Sequence, residues 1–225
     1  MDDIRILVKI PTRERPAKFL SVIKRYIEYA DDKNIQYIVS VDSNDKSMNG
    51  HYVQEEMRTL GLRVFSGISL NKIHAINRDM EKAFEWDILV NGSDDMVCIT
   101  KGWDTILKTE TAMFFPDTDG VLWHWDGDKN TQGKLNTMCI MGRKYYERFG
   151  YIYNPEYISL WSDNEFTKTS ILLNKCYESN LVLFKHEHFS NNRNVIPDDL
   201  MKRTQSYFKQ DEKTYFKREA NHFGL

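Results

Sequence analysis

Asp87-Ile88-Leu89-Val90-Asn91-Gly92-Ser93-Asp94-Asp95 is the stretch that decides the fold. Its apolar half, Asp87–Val90, reads as a short buried strand, and its Asn-Gly-Ser half ends that strand in a turn. Two adjacent carboxylates at such a strand end are unfavourable unless water or a cation neutralises them. Upstream the same grammar repeats. Ile4–Ile10 (IRILVKI) is an apolar, β-branched run closed by Pro11-Thr12, and Pro16 opens a helix from about Ala17 to Tyr29. Gln36–Val41 is a second strand, ending in Asp42-Ser43-Asn44-Asp45. A helix over Val53–Leu60, a strand over Leu62–Phe65 and a helix over Lys72–Phe84 follow, the last with Ile73, Ile76, Met80 and Phe84 on one stripe. Strands alternating with helices predict an α/β domain whose mixed, mostly parallel sheet is flanked by helices. The polar clusters at 11–16, 42–45 and 91–95 fall at the carboxyl ends of strands, where such sheets bind ligands.

Downstream the pattern is less regular. Gly120–Trp125 and Thr137–Met141 read as strands joined by the polar loop Asp126–Lys134. A helix over Arg143–Phe149 stops at Gly150, and another follows Trp161 through Phe166 to Leu173. Leu181–Phe184 is a late strand leading into Lys185-His186-Glu187-His188. We divide the chain into a catalytic domain, 1–195, and an amphipathic C-terminal helical appendage, 196–225. In that appendage Met201, Phe208, Tyr215 and His222 recur every seven residues, and six basic against three acidic side chains over Met201–Leu225 leave a net charge of +3.

Composition narrows the function classes. The 225 residues carry a net charge of −2, which argues against wholesale electrostatic binding of nucleic acid while leaving room for a local basic patch. No apolar run approaches the ~20 residues of a membrane span, and the N-terminus lacks a signal-peptide pattern, so a cytoplasmic protein is expected, in the host cytoplasm if the chain is viral. Cys98, Cys139 and Cys176 are odd in number and have no CxxC spacing, which argues against a cysteine zinc site and a disulfide framework.

The candidate site residues follow from chemistry. Asp94 and Asp95 offer the hard oxygen ligands that suit Mg²⁺ or Mn²⁺, alongside the alternative of a solvated turn. Asp42 is placed to accept from a base N–H or a ribose hydroxyl, or to make an Asx-turn. His186 and His188, two apart on a strand, share a face and are candidate metal ligands, or plain edge histidines. Asp163 and Glu165 at a helix start either cap it or serve as general base.

The order of these signals resembles family-2-type glycosyltransferases with the GT-A fold, over about residues 4–190. The matching segments are Ile10–Pro16, Val41-Asp42, Asn71-Lys72 with Asn77-Arg78, Ile88–Asp95, Met141–Arg143 with Phe149-Gly150, and Trp161–Phe166. Gly92 stands where the pattern's first aspartate falls, and Ser162-Asp163 where a Glu-Asp pair is usual. The resemblance implies a small, soluble, phage-type enzyme that moves sugar, with inversion, from a nucleotide-sugar to an acceptor hydroxyl. It places the donor on Pro11, Thr12, Arg13, Asp42, Lys72, Asn77, Ser93 and Asp94. It places a divalent metal, Mn²⁺ or Mg²⁺, on Asp94 and Asp95 with His186 or His188, and the base on Asp163 with Glu165 second. Trp123, Trp125 and Trp161 lie toward the expected acceptor side. Together with the basic C-terminal segment they suggest a hydroxymethylated DNA base as acceptor, a saccharide or protein being the competitors. Nucleotidyl transfer is the rival reaction, disfavoured because Pro11–Pro16 lacks a Gly-rich phosphate loop; a non-catalytic nucleotide-sugar-binding protein is the rival outside enzymes.

Overall fold

The computed structural model describes residues 4–187 and 199–225. Strand β1 (Ile6–Thr12) pairs in parallel with β2 (Gln36–Asp42) on one side and β4 (Ile88–Asn91) on the other. Strand β3 (Arg63–Gly67) extends the parallel set beyond β2. On the other flank, β7 (Ile140–Gly142) runs antiparallel to β4 and to β6 (Val121–His124), and β8 (Cys176–Ser179) closes the edge parallel to β6. The seven-stranded sheet therefore has the order β3-β2-β1-β4-β7-β6-β8, the mixed, mostly parallel α/β architecture read from the sequence.

Period-2 alternation splits the strand residues between two cores. Val8, Ile10, Val39, Val41 and Val90 face the helix α1 (Pro16–Tyr29), packing with Phe19, Ile23 and Tyr26 and with Trp103 and Leu107 of α4 (Trp103–Phe114). Leu7, Ile38 and Leu89 face the opposite way, toward Ile73 and Ile76 of α3 (Lys72–Asn77), Tyr145 of α5 (Arg143–Phe149) and Phe166 of α6 (Ser162–Leu172). A two-stranded antiparallel ladder, β5 (Met96–Cys98) with β9 (Phe184–His186), sets Met96 opposite His186. That register brings the late histidine to the turn that ends β4.

Three local expectations change. The helix expected over Lys72–Phe84 stops at Asn77, and Met80–Lys82 forms a separate 3₁₀ turn after Asp79, whose φ is +68°. The cause is Arg78, whose guanidinium leaves the helical path to donate to Val41 O (2.8 Å) and Ser69 Oγ (3.1 Å) and to pair with Asp79 (3.1 Å). Helix α4 escaped the sequence reading because polar Asp104 and Thr111 sit on its buried face. Asp104 is there to accept the backbone N–H groups of Asp31 (2.9 Å) and Asp32 (2.8 Å). The late strand expected at Leu181–Phe184 starts only at Phe184, and β8 precedes it.

The C-terminal helices α7 (Asp199–Ser206) and α8 (Phe208–Ala220) lean on the domain. Buried Asp211 accepts three consecutive backbone N–H groups, from Ile158 (2.9 Å), Ser159 (2.8 Å) and Leu160 (2.8 Å). Arg218 reaches Glu165 through Nε (2.6 Å) and Nη2 (2.9 Å). Trp161 packs its ring against Phe208, Tyr215 and Phe216.

Candidate functional site

A cleft of ≈ 570 Å³ opens at the carboxyl ends of β1, β2 and β4. Asp42 ends β2 inside it, accepting from Ser69 N (3.0 Å) and paired with Arg13. The Asx-turn belongs instead to Asp45, which takes the N–H groups of Glu14 (2.6 Å), Ser47 (3.0 Å) and Met48 (3.1 Å). Asp42 is thereby left to face the cleft, as do Pro11, Thr12, Arg13 and Ser93.

The turn after β4 holds the paired carboxylates. Asp94 meets Arg15 Nη1 at 2.9 Å; burial and then the Asp95 charge push its carboxyl up, against the pull of Arg15. Asp95 is hydrogen-bonded by Ser93 Oγ and lies 3.7 Å from His186 Nε2. Burial alone would raise Asp95, but His186 and Ser93 outweigh it and hold this carboxyl far below the usual range. The other imidazole nitrogen, Nδ1, is 3.8 Å from Asp126 Oδ2. Burial pulls the His186 imidazolium down, yet Asp126 and Asp95 together push it up to about 9. Asp126 is itself fixed by Thr131 Oγ1 (2.6 Å), Thr137 Oγ1 (2.8 Å) and Asp128 N (3.0 Å). Gly92, at the place of the pattern's first aspartate, packs under β1: a Cβ there would lie 3.0 Å from Ile10 Cγ1, so an acidic side chain requires Ile10 to shift.

Among the described residues, no three His, Cys, Asp or Glu side chains converge as a closed metal shell. Mg²⁺-like sites seldom need one, since one or two carboxylates plus substrate phosphates and waters suffice. The 3.7 Å between Asp95 Oδ2 and His186 Nε2 fits within the ~4.2 Å that two ligands at about 2.1 Å from one ion can span. The carboxylate and imidazole donors of Asp95 and His186 are of the kind that suits a divalent cation.

The cleft is also lined by Asp163, in the first turn of α6, and by Lys72, at the start of α3. Burial pushes the Asp163 carboxyl up, and the Lys72 charge opposes the shift. Asp163 thus joins the cleft lining within electrostatic reach of Lys72 and His186.

Several expected residues are placed elsewhere. Glu165 lies outside the cleft, 5% exposed, and is committed to Arg218, Tyr157 Oη (2.8 Å) and Asn154 Nδ2 (3.1 Å). Asn77 accepts from Ile152 N (2.9 Å) and Tyr153 N (3.1 Å) and donates to Tyr153 O (2.6 Å), so it shapes a turn rather than a cleft wall. Of the tryptophans, none lines the cleft among the described residues. Trp123 is buried in β6, Trp125 donates Nε1–H to Asp128 O (2.8 Å), and Trp161 is the seat for α8. His188 lies outside the described residues. Sequence reasoning passed over Arg15 and Asp126 as site residues; their signals were the second arginine of Arg13-Glu14-Arg15 and the acid that opens the 126–134 loop. It also missed Arg203, Thr204 and Tyr207, which α7 and its end bring to the cleft.

Known structures share this fold. A mannosyltransferase from Pyrobaculum calidifontis, solved with GDP-Man and Mn²⁺, is similar with a TM-score of 0.65 at 15% identity, over 90% of this chain and 69% of that one. The fold is that of the GT-A glycosyltransferases. Other GT-A structures agree. Glucosyl-3-phosphoglycerate synthase from Mycobacterium tuberculosis, solved with Mn²⁺, UDP and phosphoglyceric acid, gives 0.59 at 14% identity, over 83% of this chain and 72% of that one. Residues 1–349 of S. aureus TarS with UDP-GlcNAc give 0.59 at 16% identity, over 86% of this chain and 62% of that one. No protein-family model matches the sequence, and no curated protein matches it. No helix among the described residues is long and apolar enough to cross a membrane.

Proposed function

We propose that this chain is a metal-dependent glycosyltransferase that moves sugar from a nucleoside-diphosphate sugar to an acceptor hydroxyl in the cytoplasm, with inversion. The observation that carries the reading is the convergence, in one cleft of a GT-A fold, of Asp42, the Asp95–His186 pair, Lys72 and Asp163. Asp42 holds the ribose or base of the donor. Asp95 and His186, with Asp94 beside them, would hold the divalent cation, which would supply Lewis-acid neutralisation of the diphosphate. Lys72 and Arg13 stabilise the charge that develops on the leaving diphosphate. The acceptor oxygen bonds to the anomeric carbon as the carbon–phosphate-oxygen bond breaks, and Asp163 takes the acceptor proton. Inversion at the anomeric carbon is carried over from the resemblance to family-2-type glycosyltransferases.

We assign the acceptor hydroxyl to a hydroxymethylated DNA base. Support comes from the C-terminal helices, where Lys202, Arg203, Lys209, Lys213 and Lys217 are exposed while Asp211 is buried and spent on backbone N–H groups. Of these, Arg203 lines the cleft together with Tyr207, to which we assign the stacking role expected of the tryptophans. Transfer of radiolabelled sugar to hydroxymethylated but not to unmodified DNA, with DNA affinity falling steeply as salt rises, tests the assignment. Label on a free saccharide or a protein and on neither DNA overturns the acceptor while keeping sugar transfer. Incorporation of the nucleotide instead of the sugar overturns the reaction itself.

A further inference from the structure

Arg78, which the proposed reaction does not use, holds the backbone around Asp42 from two sides. Its Nη2 donates to the carbonyl of Val41 (2.8 Å), the residue before Asp42, and its Nε donates to Ser69 Oγ (3.1 Å). Ser69 in turn donates its backbone N–H to Asp42 Oδ1 (3.0 Å). Gly67 lies opposite Asp42 in the β2–β3 register, and its carbonyl accepts Ser43 N (2.7 Å). A Cβ at position 67 would lie 2.5 Å from Arg78 Nη1, so the guanidinium fills the space that this glycine leaves. The seat of the guanidinium is buried as well. Asp79, in the left-handed region at φ +68°, sets a carboxylate oxygen 3.1 Å from Arg78 Nη1 and accepts from Ser40 Oγ. Fully buried Lys9 donates Nζ–H to that same Ser40 Oγ (2.6 Å) and to Ala75 O of α3 (3.2 Å). The contacts form one chain, Lys9–Ser40–Asp79–Arg78–Ser69–Asp42, from the core of the sheet to the cleft.

We propose that Arg78 is the positioning residue for nucleoside recognition at Asp42, with Gly67 supplying its space and Asp79 its seat. The proposal rests on the reading above that Asp42 holds the ribose or base of the donor. A carboxylate that accepts from a ligand binds it more tightly when it is fixed before the ligand arrives, because less freedom is lost on binding. Arg78 fixes Asp42 in two ways. Its bond to Val41 O sets the end of β2, and its bond to Ser69 Oγ sets the loop whose N–H orients Asp42 Oδ1. The guanidinium is charged and its side chain is only 10% exposed, which makes these hydrogen bonds the strong kind. None of the contacts in this chain reaches Asp95, His186 or Asp163, so the network bears on the nucleoside and not on the cation or the base.

The test is calorimetry with Mn²⁺, using UDP, GDP and inorganic pyrophosphate on wild type, Arg78→Ala, Gly67→Ala, Asp42→Ala and the double variant Arg78→Ala with Asp42→Ala. Wild type is expected to prefer at least one nucleoside diphosphate over pyrophosphate. In Arg78→Ala that preference falls roughly 10-fold or more while pyrophosphate affinity stays at the wild-type value. Gly67→Ala keeps the guanidinium and its charge but pushes it from its place, and it lowers the preference in the same direction. The double variant loses no more than Asp42→Ala alone, the signature of a residue that acts through another. An arginine that only supports the fold would lower the melting temperature and leave the preference unchanged. An unchanged preference in Arg78→Ala, or in Gly67→Ala should Arg78→Ala not fold, overturns the positioning role. So does a double variant whose loss is the sum of the single losses. Either result leaves Mn²⁺-dependent diphosphate binding intact. Wild type that binds pyrophosphate as tightly as UDP and GDP, or binds none of them with Mn²⁺, overturns the reading of Asp42 and the proposal with it.

Discussion

Arg218→Ala tests the assignment of Glu165 to the fold rather than to the chemistry. In the native protein the guanidinium sits 2.6 Å and 2.9 Å from the two Glu165 oxygens, with side chains only 15% and 6% exposed. Removing one partner of such a pair leaves a buried, uncompensated charge, a loss of roughly 3–5 kcal/mol. Glu165 keeps two neutral donors, Tyr157 Oη at 2.8 Å and Asn154 Nδ2 at 3.1 Å, which places the loss near the lower end. At ~2–4 °C per kcal/mol for a domain of this size, about 3 kcal/mol lowers the melting temperature by about 6–12 °C. Replacing both partners together, Glu165→Gln with Arg218→Met, recovers most of the loss because no charge remains to be compensated. Urea and thermal unfolding followed by circular dichroism read both effects. A loss below ~1 kcal/mol in the single variant, or a double variant no better than the single, would refute the reasoning.

Further outcomes follow from the same contacts. Asp163→Asn keeps diphosphate binding and loses about 10²–10⁴ in transfer rate, measured under saturating donor; near-normal turnover moves the base elsewhere. Asp211→Asn replaces an acceptor of three N–H groups by an amide with one acceptor oxygen, and urea unfolding should report a loss of about 2–4 kcal/mol. His186, pushed up to about 9, gives two opposite pH trends. Its imidazolium contributes stability to the metal-free protein that is complete below its unfolded value near 6.5 and is lost as pH rises through about 9. Mn²⁺ must displace that proton, so metal affinity climbs ~10-fold per pH unit toward that same value, and His186→Ala flattens the climb. A metal affinity independent of pH over this range removes His186 from the ligand set.

Strands β1, β2 and β4 were legible because they are mostly apolar runs with Pro11, Asp42 and Gly92 at or just past their ends. Each of those endings falls in or beside the cleft, so the Asp42, Asp94 and Asp95 positions were legible too. What escaped was decided by tertiary partners. Helix α4 hides its stripe behind buried Asp104, whose partners are backbone N–H groups more than seventy residues away. Glu165 looks like Asp163 in sequence, and only Arg218 from α8 separates the cap of a fold from a wall of the cleft. The tryptophans drew attention by residue type, yet burial in β6 and the seating of α8 account for Trp123 and Trp161. Arg203 and Tyr207, on α7 and at its end, line the cleft, which no local pattern announces.

The most direct test of the central claim is calorimetric titration of UDP and of GDP into the protein with Mn²⁺ and again with chelator, in wild type and in Asp95→Ala. The account predicts that at least one diphosphate binds wild type with Mn²⁺, that chelation abolishes the binding, and that Asp95→Ala does the same while melting as a folded protein. Equal affinity with and without metal, or full metal-dependent binding in Asp95→Ala, would contradict it.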